Sequence, residues 1–169
     1  MRIGINALYL LPGKVGGSET YVRNLVRWME RCDDEHEYFI FVNQESQGVF
    51  QQLTKKMKVI LCPIRAVNRL VRILWEQIAL PFQVKRYEID VLLSAGMTAP
   101  FLCPATSIVV IYDLQHIHQP QNFPRFYLFF LKWILYFSAR TADGVLAISQ
   151  KVKKDIIHSY NIPSDRVGV

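Results

Sequence analysis

Two stretches of the chain carry polar residues at spacings that could do chemistry. Asp113, His116 and His118, in Ile111-Tyr112-Asp113-Leu114-Gln115-His116-Ile117-His118, follow the most hydrophobic run directly; Gly16-Gly17-Ser18-Glu19 stands between an opening apolar run and a helical pattern. Three chemistries fit the first group. As D-x-x-H-x-H it offers three metal ligands, although no further His, Asp or Glu cluster strengthens the set. As turn residues, Asp113 caps a turn and the imidazoles bond backbone groups. As the edge of a substrate site, Asp113 and His116 hydrogen-bond ligand hydroxyls.

The glycine group has the outline of an anion site. Two adjacent residues without Cβ let backbone N–H groups approach a ligand, and a helix start adds unpaired donors and partial positive charge. Ser18 is expected to cap that helix, and Glu19 in its first turn complements the dipole. The competing reading is a tight turn with no ligand. Neither strong nucleotide fingerprint is present: no Lys-Ser/Thr follows the glycines, G-x-G-x-x-G is missing, and the second strand runs into Asn43-Gln44 rather than an acidic residue. Ser149 reads as the N-cap of the helix that follows it, and no G-x-S-x-G elbow surrounds it.

These residues need a scaffold, and the alternation of patterns supplies one. Strand-like runs recur at 2–6, 38–42, 58–61, 90–94, 107–112, 144–148 and 166–169, with helical patterns at 19–31, 67–85, 124–140 and 150–160. Continuous apolar strands such as Ile108-Val109-Val110-Ile111 belong in a parallel sheet covered on both faces. The expected class is therefore α/β: a Rossmann-like, doubly wound, mostly parallel sheet with helices on both faces, forming one domain over residues 1–169. Ligands bind beyond the carboxyl ends of such strands, where both polar groups fall. The last run stops after four residues, so a continuation is expected.

Two helices set expectations about surfaces. In 67–82, positions 67, 70, 71, 74, 75, 78 and 82 form an apolar stripe, expected to face the sheet, while Arg65, Arg69, Arg72 and Glu76 face solvent; Ile73 and Leu80 fall on that charged side. A membrane-surface role for this helix is the alternative. Pro81 is expected to kink or end it. The run 126–137 is apolar almost all round, with Lys132 its one charge, and is expected to be buried.

Composition bounds the rest. The 169 residues are 51% hydrophobic and 20% charged, enough for one full core, with neither a signal peptide nor a spanning segment evident; a cytoplasmic protein, soluble or peripheral at the inner face of a membrane, is expected. The three cysteines lack metal-type spacing and are expected to be buried thiols. A net charge of +6 favours anionic partners, and without a nucleic-acid motif, nucleic acid ranks last among them.

Four segments in order resemble the amino-terminal domain of family 4 glycosyltransferases, enzymes of two-domain GT-B architecture. They are Gly16-Gly17-Ser18-Glu19-Thr20-Tyr21-Val22-Arg23-Asn24-Leu25, Leu74-Trp75-Glu76-Gln77-Ile78-Ala79-Leu80-Pro81, Tyr112-Asp113-Leu114-Gln115-His116, and Ala139-Arg140-Thr141-Ala142-Asp143-Gly144-Val145-Leu146-Ala147-Ile148-Ser149. Tyr112 stands where the family often has His. The resemblance implies sugar transfer from a nucleotide-sugar to a hydroxyl acceptor, glycan or lipid-linked, in cell-surface polysaccharide or glycolipid assembly. It implies that Gly16, Gly17 and Ser18 lie against the donor diphosphate, that Tyr112, Asp113 and His116 line the acceptor side, and that Asp113 and His116 orient the attacking hydroxyl. It also implies a nucleotide-sugar co-substrate, no cofactor or bound metal, and a carboxy-terminal donor domain absent from this chain, without which the fragment is inactive. The competing classes are a stand-alone nucleotide- or phosphate-binding module and a membrane-peripheral interaction protein built around Arg65, Arg69 and Arg72.

Overall fold

The computed structural model covers residues 1–169. Seven strands, β1 (Arg2–Asn6), β2 (Glu37–Val42), β3 (Lys58–Leu61), β4 (Val91–Ser94), β5 (Thr106–Ile111), β6 (Gly144–Ala147) and β7 (Val167–Gly168), form one parallel sheet in the order β3-β2-β1-β4-β5-β6-β7. Every pairing is parallel, and Asn6 lies opposite Ser94 at the carboxyl end of the β1–β4 pair. The chain winds outward from β1 in one direction and from β4 in the other, so the switch point of a doubly wound sheet lies between them.

The connections between these parallel strands place helices on both faces of the sheet. On one side α1 (Gly17–Cys32) and α2 (Gln47–Leu53) bring Val22, Val26 and Phe50 against Ile5, Ile40 and Val42. On the other, α3 (Arg69–Arg86) sets Leu80 and Val84 on Phe39, Phe41 and Leu92. Its Ile73 joins Ile134 and Leu135 of α5 (Arg125–Thr141) and Ile156 of α6 (Gln150–Tyr160) over Val109, Ile111 and Val145. A short α4 (Gln115–His118) precedes α5.

Three expectations about surfaces are corrected. α3 is inverted: Leu70, Leu74, Ile78 and Phe82 are exposed, whereas Arg72, Ile73, Glu76, Leu80 and Val84 are buried. Its polar residues explain this. Arg72 donates to Glu76 at 3.1 Å and to Thr98 at 3.3 Å, while the Gln77 amide donates to Ala99 O and its oxygen accepts from Phe101 N, so the polar face grips the loop after β4. Ile73 and Leu80, apolar on the charged side, supply that face with its contacts to the core. Pro81 lies inside α3, which continues to Arg86.

The apolar α5 is not buried all round either. Only the arc of Ile134, Leu135, Ser138 and Ala139 is buried, and Phe126, Phe129 and Trp133 face out. Of the three free cysteines, Cys62 is buried, Cys103 half-buried and Cys32 exposed.

Candidate functional site at the carboxyl rim of the sheet

The loops after β1, β4 and β5 meet at the carboxyl edge of the switch point. Asn6, buried, donates through Nδ2 to Ser94 Oγ at 3.3 Å across the crevice and accepts from Leu8 N at 3.2 Å. Asn43 follows β2 and is fully buried; its amide donates to the carbonyls of Leu8 and Leu10, both at 2.8 Å, and its oxygen accepts from Ser46 N. Two buried amides thus fix the path of the loop that ends in the glycine pair.

That loop delivers α1 with an uncapped start. Gly16 is the N-cap residue at φ 60°, ψ −132°, and no side chain bonds the first-turn N–H groups. The expectation that Ser18 caps this helix fails: Ser18 lies inside it, and its hydroxyl donates backward to Val15 O at 2.9 Å. Glu19 instead accepts from Gly13 N at 2.7 Å and pairs with Arg23 at 2.8 Å, bracing the loop. Both glycines are exposed, and a Cβ built on either meets no atom within 4 Å. N–H groups left without a side-chain cap at a helix start carry the partial positive charge that an anion can use.

Three tyrosines that the sequence gave no reason to group join this loop to the rim of β5. The Tyr9 hydroxyl donates to Ser18 O at 2.9 Å, Tyr112 donates to Ala95 O at 2.9 Å, and Tyr21 packs edge-on against Tyr112 with ring centroids 5.6 Å apart. Burial raises the pKa of all three phenols, most strongly that of Tyr112, so they are neutral hydrogen-bonding groups. Gly96 makes the packing possible: a Cβ there would stand 2.6 Å from Tyr9 Cδ1. The next residue, Met97, holds φ at 66°, an uncommon conformation for a side chain of this size. Gly96, two residues past the end of β4, is the one sequence feature that could have pointed to this corner.

Asp113 is half-buried at the end of β5, with Oδ1 accepting from Gln115 N at 3.1 Å. His116 departs from its expected place at the mouth of the sheet. It is 2% exposed, its Nε2 lies 2.9 Å from the Tyr160 hydroxyl, and burial pushes its pKa down to about 4 against a smaller opposing pull from Asp113. His118 turns the other way to Asp155, at 3.1 Å. The three residues of D-x-x-H-x-H therefore face three different partners and do not converge on one point. Ser149 caps α6 as expected, accepting from Val152 N at 3.3 Å.

Comparison with known families gives this domain its family. The family model described as Glycosyltransferase Family 4 matches residues 15–169. The chain belongs to glycosyltransferase family 4. No curated protein sequence matches this family 4 domain directly. Among solved structures it is similar to the lipopolysaccharide outer core galactosyltransferase WaaB in its apo form, at 16% identity and a TM-score of 0.61, covering 100% of this chain and 45% of that one. It is also similar to HepE from Anabaena, solved with UDP and glucose, at 18% identity and a TM-score of 0.57, covering 100% and 44%. UDP-GlcNAc 2-epimerase from Neisseria meningitidis, solved with UDP-GlcNAc, shares the fold at 12% identity and a TM-score of 0.62, covering 100% and 46%. The family 4 domain spans less than half the length of these structures, and its fold is that of the amino-terminal half of GT-B glycosyltransferases.

Proposed function

We propose that this domain is the acceptor-side half of an enzyme that moves a sugar from a nucleotide-sugar to a hydroxyl of a glycan or lipid-linked acceptor. The reading places that enzyme in cell-surface polysaccharide or glycolipid assembly at the cytoplasmic face of a membrane. The observation that carries it is the uncapped, exposed start of α1 at Gly16-Gly17, braced onto the same rim as Asp113 by Tyr9, Tyr21 and Tyr112. In the transfer, the bond from the anomeric carbon to the diphosphate oxygen breaks as a bond to the acceptor oxygen forms, negative charge grows on the departing diphosphate, and the acceptor hydroxyl's proton passes to that diphosphate. The N–H groups of the glycine turn lie against that charge from across the cleft, with a second, carboxy-terminal domain holding the nucleotide. Asp113 accepts a hydrogen bond from the acceptor hydroxyl and fixes its line of approach. Tyr112 lines the acceptor side through its ring, since its hydroxyl is committed to Ala95. His116 positions the Asp113 turn from below rather than touching substrate. The nucleotide-sugar is a co-substrate, and the proposed chemistry uses no resident metal.

The likeness to UDP-GlcNAc 2-epimerases makes product identity the test. Full-length protein incubated with a panel of labelled nucleotide-sugars and membrane extract is expected to place label on a glycan or lipid. Asp113→Asn should lower that transfer while nucleotide affinity, measured by calorimetry, stays at the parent value. Label recovered only as an epimerised nucleotide-sugar would overturn the transferase reading, and a matching loss of nucleotide affinity would overturn the role given to Asp113.

A further inference from the structure

The outward surface of α3 and α5 has no partner in the fold and a composition unlike the rest of the molecule. On α3, Leu74 is 60% exposed and Ile78 63%, with Leu70 and Phe82 beside them. On α5, Phe126 is 94% exposed, and Phe129 and Trp133 follow on the same side. The two helices are neighbours on one face of the sheet. Arg69 of α3 donates to the Tyr127 hydroxyl of α5 at 2.6 Å and lies over its ring, and Phe101, held by Gln77, packs edge-on against Trp133 at 5.6 Å. Leu102, 84% exposed, protrudes from the segment between them. Large apolar side chains exposed on two neighbouring helices, rather than scattered singly, point to a contact with a partner or a membrane.

Charge selects the occupant. α3 and α5 contain seven of the chain's 20 Lys and Arg but one of its 14 Asp and Glu, and that one, Glu76, is buried. The whole net charge of +6 therefore resides in these two helices, and the remainder of the chain is balanced. Lys85, Arg86, Arg125 and Lys132 stand exposed around the apolar residues, with no exposed acid on either helix. Apolar side chains projecting from a purely basic surface, with Trp133 and Tyr136 among them, match a bilayer whose headgroups are anionic. No helix of the chain is long and apolar enough to cross a membrane, so contact would be at the surface.

The position of the patch relates it to the site. Both helices run back from the carboxyl edge of the sheet, so Leu70 and Phe126 stand at their rim ends, the edge that carries Asp113 and the glycine turn. We propose that the outward faces of α3 and α5, with Leu102 between them, dock on an anionic lipid bilayer and present the rim to an acceptor carried by a lipid in that bilayer. The lipid-borne acceptor rests on the transferase reading; the docking does not.

The test is sedimentation of the full-length protein with vesicles of phosphatidylcholine alone or mixed with phosphatidylglycerol, without nucleotide-sugar. The protein is expected to bind the mixed vesicles at least about tenfold more tightly than the neutral ones and to be released by salt. Leu74→Glu/Ile78→Glu and, separately, Lys85→Glu/Lys132→Glu should each weaken binding by about tenfold or more at the parent's melting temperature. Absence of binding to the mixed vesicles, or undiminished binding by both variants, overturns the proposal. So does a parent dimer that Leu74→Glu/Ile78→Glu converts to monomer, since a second copy then covers the face. A lowered melting temperature in that variant also overturns it, because the rest of the polypeptide then covers the face. Turnover in solution by a protein that ignores vesicles sinks the docking alone, and vesicle binding without turnover on any nucleotide-sugar sinks the transferase reading alone.

Discussion

Helices α1 and α3 are both amphipathic, both follow a strand toward the same rim, and they use their faces in opposite ways. α1 buries Val22 and Val26 and shows solvent Asn24 and Arg27; of the apolar residues its sequence offers for one face, Tyr21, Leu25 and Met29 are half-buried beside them and Trp28 is exposed. α3 buries an Arg72–Glu76 pair beside Thr98 and turns its longest apolar stripe outward. The difference teaches that an amphipathic pattern defines an axis without saying which end of it points inward. On α1 the apolar side has no rival for the sheet. On α3 the polar residues hold the loop after β4, and only the presence of Ile73 and Leu80 among the charges allows that side to be buried.

The largest effect should come from breaking the buried pair. Arg72→Met alone leaves the buried Glu76 carboxyl without its partner, and a loss of about 3–5 kcal/mol is expected in urea unfolding. Arg72→Met/Glu76→Leu should recover most of it, and a double variant as unstable as the single one would show that the pair is not the cause. The contrast between helices sharpens with one kind of substitution made on each. Val26→Asp places an unpaired carboxylate in the core and should cost about 3 kcal/mol, whereas Leu74→Asp should stay within about 0.5 kcal/mol of the parent. Equal losses at the two positions would contradict the inverted orientation of α3.

A smaller effect follows from His116. Its folded pKa of about 4 lies below the unfolded value near 6.5, so the unfolded chain binds the extra proton between those limits. Stability from this residue is complete above about pH 6.5 and declines as pH falls toward 4, by about 3 kcal/mol. His116→Asn should flatten that part of the pH–stability curve measured by urea midpoints. Superimposable curves for parent and variant would place the imidazole in solvent, at the rim where the sequence alone put it.

Much of the scaffold was legible in the sequence. All seven strands, four of the longer helices and the cap at Ser149 follow from apolar runs and capping residues, because those signals are local. α2 was missed, since Gln47–Leu53 is short and buries only Phe50. The polar braces of the site, Asn6, Asn43 and the three tyrosines, were illegible for a different reason. Each acts through a partner distant in the chain, as Asn43 does on Leu8 and Leu10, and no spacing rule links such positions. His116 was misplaced because its partner Tyr160 lies 44 residues away. Gly16 and Gly17 were placed correctly at the start of α1 because a glycine pair before a helix is itself a local signal.

The central claim is that this glycine turn serves the phosphates of a sugar donor rather than the fold. Gly17→Val in the full-length protein tests it most directly, because a Cβ at Gly17 meets no atom within 4 Å and Gly17, unlike Gly16 at φ 60°, needs no left-handed backbone. Sugar transfer and melting temperature are measured side by side. Transfer is expected to fall by about 100-fold, the scale of losing a preorganised donor to developing charge, with the melting temperature unchanged. Transfer at the parent rate in a folded variant, or a loss of transfer that merely tracks unfolding, would contradict the account.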